Sequence, residues 1–565
     1  MSATRSDHRA GSTETGRARA VASPETLPPR RRFDGVTGTR LLLWIACLAL
    51  VIVPLGTVLV LAAGGDHLPL LLEGDVVEAG VNSLVSATLS GAGAVLVGTL
   101  LAILLDRTDL PGRRVLRLLA LSPLLVPPFV GAIAWIGIAG PASPVNVWWR
   151  ATFGGPLWTI YGGDGVVFLL IVHSCPIAML LVSAALRRIP ADLEQAARIG
   201  GASALRALAT ITLPLLRPAI LSAFTLIAVS NLADFGIPSI IGLPEQYVTL
   251  STLVYRYIQS GTVDQPLEVV ATIGAVLLVI AVGALVLDLL ASRRRWELDS
   301  STSTPQRLPL GASRAIVTAL SWAFVLTLTV LPLLALLTQS LLPAPGVPLT
   351  FENLTLDNIT RAVTAKNTAT GAATSLMLAL LAGLICGVLG LGIGTLTTRT
   401  RARDNRALQA LALLPQAIPG LVIAVAWLVI APRIGLFNTP WLILCAYITS
   451  FVALVVQAVA APLKATPLTV EEAARASGAS RFRALVDISC RMALPAALSG
   501  ALLVALTAVR ELTLSVLLLS PGSQTLGVAI FNLQQAGAYN TASALSLIVT
   551  IVGLAGLGLA ARSPR

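Results

Sequence analysis

Twelve stretches of this chain are apolar, nearly free of charge and long enough to cross a bilayer as a helix, which takes about 20 residues. They fall at 41–64, 79–105, 118–140, 165–186, 217–241, 269–287, 315–341, 372–397, 407–431, 440–462, 494–519 and 540–561. Of 565 residues 55% are apolar and only 12% charged, with a mean hydropathy of +0.84, which excludes a soluble globular or a disordered chain. In hydrocarbon the backbone has no water to bond with, so such runs fold as helices. The expected fold is an all-α polytopic membrane protein with about twelve transmembrane helices.

The net charge of +12 comes almost wholly from arginine, and its placement is informative. Arg30, Arg31, Arg32 and Arg40 precede the first run; Arg107, Arg113, Arg114 and Arg117 separate the second and third; Arg187, Arg188, Arg198 and Arg206 follow the fourth. The alternation continues through Arg293 to Arg295, Arg399 to Arg406, Arg475 to Arg483, and Arg562 with Arg565. The first intervening loop carries Asp66, Glu73, Asp75 and Glu78 instead. By the positive-inside rule both termini are cytoplasmic, and so are residues near 200 and 478, while those near 75, 150, 355 and 530 face outward. A membrane partner accounts for the basic charge, and no nucleic-acid partner is expected.

The chain also repeats itself. Pro123, Pro127 and Trp135 recur 292 residues on as Pro415, Pro419 and Trp427. A polar loop recurs 277 residues on: Leu193-Glu194-Gln195-Ala196-Ala197-Arg198, then Gly201 and Ile211-Thr212-Leu213-Pro214, against Val470-Glu471-Glu472-Ala473-Ala474-Arg475, then Gly478 and Ile488. The fifteen-residue difference between the two offsets places an insertion in the first half around Pro141 to Gly165. Six runs per half is an even number of crossings, so the halves are parallel six-helix repeats related by a pseudo-twofold axis along the membrane normal. The expected division is a disordered basic tail over 1–38, a first transmembrane domain over 39–292, a polar cytoplasmic linker over 293–314 and a second transmembrane domain over 315–565.

Each polar loop reads as a short helix, a turn and a second helix lying on the membrane surface, with small residues that admit a close partner. Gly201 and Gly478 stand where the first helix must stop, since glycine reaches positive φ without steric penalty. An ordinary amphipathic connector would explain one copy, but not two at matched spacing and matched place. The two copies resemble the E-A-A-x3-G-x9-I-x-L-P loop of binding-protein-dependent ABC importer permeases of the type I fold, and the resemblance covers roughly 79–290 and 371–562.

That resemblance implies a permease of a bacterial plasma (inner) membrane. It implies docking through Glu194, Gln195, Ala196, Ala197, Gly201, Glu471, Glu472, Ala473, Ala474 and Gly478 on two copies of an ATPase subunit. It further implies a separate extracytoplasmic solute-binding protein, and a linker joining what many relatives make as two subunits. The second copy departs from the pattern where Cys490-Arg491 replaces Leu213-Pro214, so its loop is expected to leave its surface helix differently.

No phosphate-cradling G-x-x-x-x-G-K-[ST] occurs, and Lys366 and Lys464 are the only lysines, so ATP belongs to partner subunits and this chain carries neither cofactor nor enzymatic activity. Asp234-Phe235-Gly236 lacks the other kinase motifs and sits in an apolar run. Cys47, Cys175, Cys386, Cys445 and Cys490 read as small buried hydrophobes, His173 has no ligand-spaced companion, and no metal site is expected. The competing class is a 6+6 gradient-driven secondary transporter, whose coupling would need intramembrane charges and no ATPase.

Ala233-Asp234-Phe235-Gly236, and Arg510-Glu511-Leu512-Thr513 with the Ser520-Pro521-Gly522 that follows, resemble the fused permeases of ferric-iron importers. Similar segments belong to permeases for 2-aminoethylphosphonate, thiamine and polyamines. Asp234 and Glu511 are equivalent under the 277-residue offset. Charged side chains at such depth face the bundle interior, so Asp234, Arg510 and Glu511 are candidates for a pathway or outer gate, with an Arg510–Asp234 ion pair as the structural alternative. The prolines of the third and ninth runs break backbone hydrogen bonds, which is tolerated where protein or a cavity satisfies them.

Overall fold

The computed structural model describes residues 35–64, 67–261, 263–291 and 307–562, and among them every regular element is a helix. Ten helices are long and apolar enough to cross a membrane, eleven if the bent pair Asn405–Ala417 and Gly420–Ile434 is one span, and Tyr539–Arg562 supplies the last apolar helix. Most of the tail expected over 1–38 and of the linker expected over 293–314 lies outside the described residues. Their described edges are ordered: the first helix already begins at Gly35, and residues 307–314 are tied to the first half. There Leu308 N donates to Arg107 O at 2.7 Å, Leu310 N to Asp109 Oδ1 at 3.0 Å, and Arg314 lies 3.8 Å from Asp109.

Four runs read from composition as continuous are broken. In the third, the helix Arg113–Leu121 and the turn Ser122–Leu125 end at Pro127, and a new helix runs Pro128–Ala139. The ninth repeats this, Asn405–Leu413 and Leu414–Ala417 ending at Pro419 before Gly420–Ile430, with a bend of 104°. Proline has no N–H and clashes with the preceding turn, so each break sits where the sequence puts the ring. The fifth run ends as helix at Leu232 and the eleventh at Val509, each followed by a short separate turn, Pro238–Gly242 and Thr513–Leu517. The fifteen-residue insertion contains the helix Pro144–Phe153. Asn146 Nδ2 fastens it by donating to the carbonyls of Ala139, Gly140 and Trp158 at 3.1, 3.0 and 2.7 Å.

Each half is built on three helices in mutual contact: Gly74–Arg107, Gly163–Leu186 and Leu213–Leu232 in the first, Lys366–Arg399, Pro440–Ala465 and Arg491–Val509 in the second. Lipid supplies no hydrophobic force between helices, so close backbone approach through small residues drives their packing. A Cβ on Gly98 would lie 2.5 Å from Ala178 Cβ, and one on the equivalent Gly390 would lie 2.5 Å from Val455 Cβ.

Around these cores the halves exchange helices. Gly420–Ile430 of the second half is packed by Val53–Gly64 and Pro266–Ala291, from the first and last spans of the first half, so that Gly274 sits against Val425 and Val58. In the mirror arrangement Pro128–Ala139 is packed by Arg314–Leu341 and Tyr539–Arg562, where Gln339 lies on Gly137 and accepts from Ser543 at 2.7 Å. The main apolar core therefore draws on both halves. The N-terminal helix is fastened to the second half by polar bonds as well. Arg40 donates to Thr400 at 2.7 Å and to Asn405 at 3.2 Å, Trp44 Nε1 donates to Asp404 at 2.8 Å, and Thr449 donates to the Leu50 carbonyl at 3.0 Å.

Candidate functional site

The duplicated loops adopt the same helix, turn and helix. The first runs through Ala191–Ile199, turns at Gly201 with φ of 89°, and re-enters helix at Ala204, where Ser203 Oγ accepts from Arg206 N at 3.3 Å. The second runs through Thr469–Ala476, turns at Gly478 with φ of 94°, and re-enters at Arg481, where Ser480 Oγ accepts from Arg483 N at 3.2 Å. Both turns lie in the left-handed region that favours glycine. Both exits pass through a π turn, Leu208–Thr212 and Leu485–Cys490, into the long helix. The expected difference at Cys490-Arg491 is thus corrected: with Pro214 in one copy and Arg491 in the other, both surface helices run through a π turn into the long helix without a break.

Within the loops the acidic residues divide. Gln195 and Ala197 are half-buried and Ala196 exposed; Glu472 and Ala473 are exposed and Ala474 half-buried. The leading glutamates point inward instead. Glu194 is buried 3.6 Å from Arg107 and accepts from the Thr212 hydroxyl, while Arg107 also donates to the Leu186 carbonyl at 3.1 Å. Glu471 is buried 3.1 Å from Arg399 and accepts from the Ser489 hydroxyl at 2.7 Å, while Arg399 donates to the Thr466 carbonyl at 3.0 Å. Thr212 and Ser489 obey the 277-residue offset, Arg107 and Arg399 the 292-residue one. The two glutamates therefore anchor the loops to the ends of Gly74–Arg107 and Lys366–Arg399 and leave the outer faces to others. Those faces include Ile199 at 89% exposure and Leu205 at 75%. Arg107 and Arg399 escape a motif search, but applying the repeat offset to every arginine pairs them.

Asp234, Arg510 and Glu511 lie at the breaks that end the two long helices. Asp234 Oδ2 accepts from Ile237 N at 2.9 Å, and the Glu511 carboxylate accepts from Leu514 N at 2.9 Å and Ser515 N at 3.2 Å. Each carboxylate thus caps the turn that follows its break, a side-chain acceptor for an otherwise orphaned N–H. Arg510 donates to the Leu124 carbonyl, just before the Pro127 break of the other half. Among the described residues no ion pair joins Arg510 to Asp234, so that alternative is set aside: the nearby orphaned carbonyl takes the guanidinium. Asp234 and Glu511 do lie within electrostatic reach of each other across the pseudo-twofold axis. Next to them Phe235 and Tyr255 of the first half meet Phe531 of the second, with ring centroids 5.1 to 5.9 Å apart.

His173 lines an apolar recess with Pro123, Pro127 and Trp135, closed from the second half by Leu328 and Pro332. Among the described residues no three His, Cys, Asp or Glu side chains gather as a metal site would require. A polar knot not anticipated from sequence ties the first three-helix core: Ser174 donates to Asn231 at 3.0 Å, and Asn231 to Ser90 at 2.9 Å.

Residues 94–296 and 379–562 match the family model of binding-protein-dependent transport system inner membrane components. A ferric transport system permease protein of Actinobacillus pleuropneumoniae is 23% identical over 86% of this chain and 71% of its own length. An iron(III)-transport system permease protein of Haemophilus influenzae is 24% identical over 81% of this chain and 84% of its own length. A probable molybdenum ABC transporter permease protein of Haloferax volcanii is 30% identical, and pairs 98% of its length with 48% of this chain.

Proposed function

Since this chain belongs to the family of binding-protein-dependent transport system inner membrane components, we propose that it forms both permease halves of an ABC importer for iron(III). The observation that carries the permease reading is the duplicated loop, each copy fixed by its own buried arginine and showing an exposed outer face. In this reading each loop docks one of two ATPase subunits, which bind the ATP, and a separate binding protein delivers the cargo at the opposite end. Arg107 and Arg399 hold the loops rigidly to the long helices, so movement of an ATPase reaches the transmembrane core without being absorbed in slack. Both termini and both loops face the cytoplasm, in keeping with the arginine distribution.

Iron(III) is favoured over 2-aminoethylphosphonate, thiamine and polyamines because the ferric relatives align across both halves at once. The molybdenum relative aligns with about half of the chain. Asp234 and Glu511, together near the axis beside the Phe235, Tyr255 and Phe531 rings, form the candidate gate on the pathway.

The test is reconstitution of the chain with the ATPase and binding protein encoded beside it, in liposomes. ATP-dependent accumulation of iron(III) is expected, with no accumulation when the ATPase is omitted. Uptake without ATPase that collapses with an ionophore would replace this reading by the secondary transporter. ATP-dependent uptake of molybdate or an organic cation in place of iron(III) would leave the permease and overturn the cargo. Cysteines at positions 200 and 478 should resist impermeant reagents in intact cells, whereas those at 75 and 150, both exposed, should react.

A further inference from the structure

At the arginine-rich end of the first half lies a recess of about 530 Å³ lined by Leu105, Asp106, Arg113, Arg114, Arg117, Leu118 and Arg307. Four guanidiniums surround it and one carboxylate is present. That carboxylate is already engaged, Asp106 lying 2.5 Å from Arg117 and 3.8 Å from Arg187. Among the described residues Arg113, Arg114 and Arg307 take part in no ion pair, although like charges so placed repel one another. Burial, and after it the charges of Arg307, Arg114 and Arg117, hold the Arg113 guanidinium below its ordinary range. Among the described residues four guanidiniums line this space against the single carboxylate of Asp106.

The surroundings say which anion fits. The helix Arg113–Leu121 buries Leu116 and Ala120, yet leaves Val115 at 52% and Leu118 at 71% exposure. Leu118 also lines the recess, so the basic concavity opens directly onto apolar surface at a helix that precedes a membrane span. A free inorganic anion would use the guanidiniums and leave that apolar lip bare. An anion carrying acyl chains would use both, and basic recesses beside transmembrane helices on one leaflet suit such headgroups. We propose that this recess binds the phosphate of an anionic phospholipid, with Arg113, Arg114 and Arg307 as the principal donors.

The site is particular to the first half. Under the 292-residue offset Arg113, Arg114 and Arg117 become Asn405, Arg406 and Gln409, and Asn405 is occupied by Arg40 and Thr400. Arg307 belongs to the segment joining the halves, and its neighbour Leu308 both bonds to the Arg107 backbone and lies over the Glu194 loop. A bound headgroup would therefore fasten that segment beside the first anchored loop.

The full chain, purified in detergent and examined by native mass spectrometry with added phosphatidylglycerol or phosphatidylcholine, tests this. Preferential retention of phosphatidylglycerol is expected, falling about thirtyfold in an Arg113→Gln, Arg307→Gln variant, since each basic residue near anionic lipid contributes about one factor of five. Arg113→Lys with Arg307→Lys should keep most of the retention, and Arg406→Gln all of it. Equal retention of the two lipids by the unaltered chain overturns the proposal without any variant. Undiminished phosphatidylglycerol retention in the double Gln variant overturns it as well. Complete displacement of the lipid by millimolar inorganic phosphate would overturn the lipid as occupant in favour of a free anion.

Discussion

Truncating Glu471 to alanine strands the Arg399 guanidinium, whose side chain is 2% exposed beside a glutamate side chain exposed only 10%. Removing one partner of a buried ion pair costs about 3–5 kcal/mol, because the other charge stays desolvated and uncompensated. The lost Ser489 bond, a charged one worth about 1.5–3 kcal/mol, is part of that figure and is not added to it. Removing both charges, as Arg399→Met with Glu471→Leu, leaves nothing stranded and should come close to neutral. The double variant should therefore be more stable than Glu471→Ala by about 3 kcal/mol or more.

Hydrogen exchange in nanodiscs reads the effect where it acts, on the amides of the loop Thr469–Ala476 and its Gly478 turn. Because about 1.4 kcal/mol is tenfold, protection there should fall by about two to three orders of magnitude in Glu471→Ala and largely return in the double variant. ATPase activity of the assembled complex should lose its dependence on binding protein in the single variant and regain it in the double. Unchanged protection in Glu471→Ala, or equal loss in single and double variants, would refute the anchoring argument. The Arg107 and Glu194 pair should behave alike but more weakly, its ionic contact being 3.6 Å rather than 3.1 Å.

Gly201→Val and Gly478→Val meet no neighbour within 4 Å, so their effect is backbone strain alone, about 1–3 kcal/mol at φ of 89° and 94°; binding-protein-stimulated ATP hydrolysis should fall in both, while monodispersity in detergent is kept. Asp234→Asn retains a capping oxygen and should leave stability nearly unchanged, whereas Asp234→Ala should cost about 0.5–2 kcal/mol by denaturant titration; equal transport loss in both would show that the charge and not the cap is what matters. The indole of Trp44, and less strongly Arg40, hold the Asp404 carboxyl below the usual carboxylate range. A lowered carboxylate stabilises the folded state above its ordinary value near ~4 and loses that contribution as pH falls through the lowered one. In a variant that keeps Trp44 and replaces the other eight tryptophans by phenylalanine, emission should thus be constant between about pH 5 and 8 and change only below about pH 4, and Asp404→Asn should abolish the transition.

Sequence alone determined what the bilayer and the covalent chain impose. Long apolar runs in hydrocarbon fold as helix, and a glycine at a helix end supplies the left-handed turn; the prolines mark candidate breaks only, since Pro127 and Pro419 end a helix whereas Pro176 and Pro332 lie inside one. Repeated offsets of 277 and 292 residues fixed the two-half architecture and the place of the insertion. Only the tertiary structure decided partners.

Composition cannot show that the first and last spans of each half wrap the third of the other, because every such helix is apolar all round and carries no mark of its neighbour. It cannot show that Glu194 and Glu471 turn inward, since their positions on a short polar helix suit an outward docking face equally well until Arg107 and Arg399, far away in sequence, are brought beneath them. Nor could it tell that Arg510 passes over Asp234 for the Leu124 carbonyl. A buried charge goes to whichever compensating group the fold places within reach, and that choice is made in three dimensions by the breaks at Pro127, Leu232 and Val509 together.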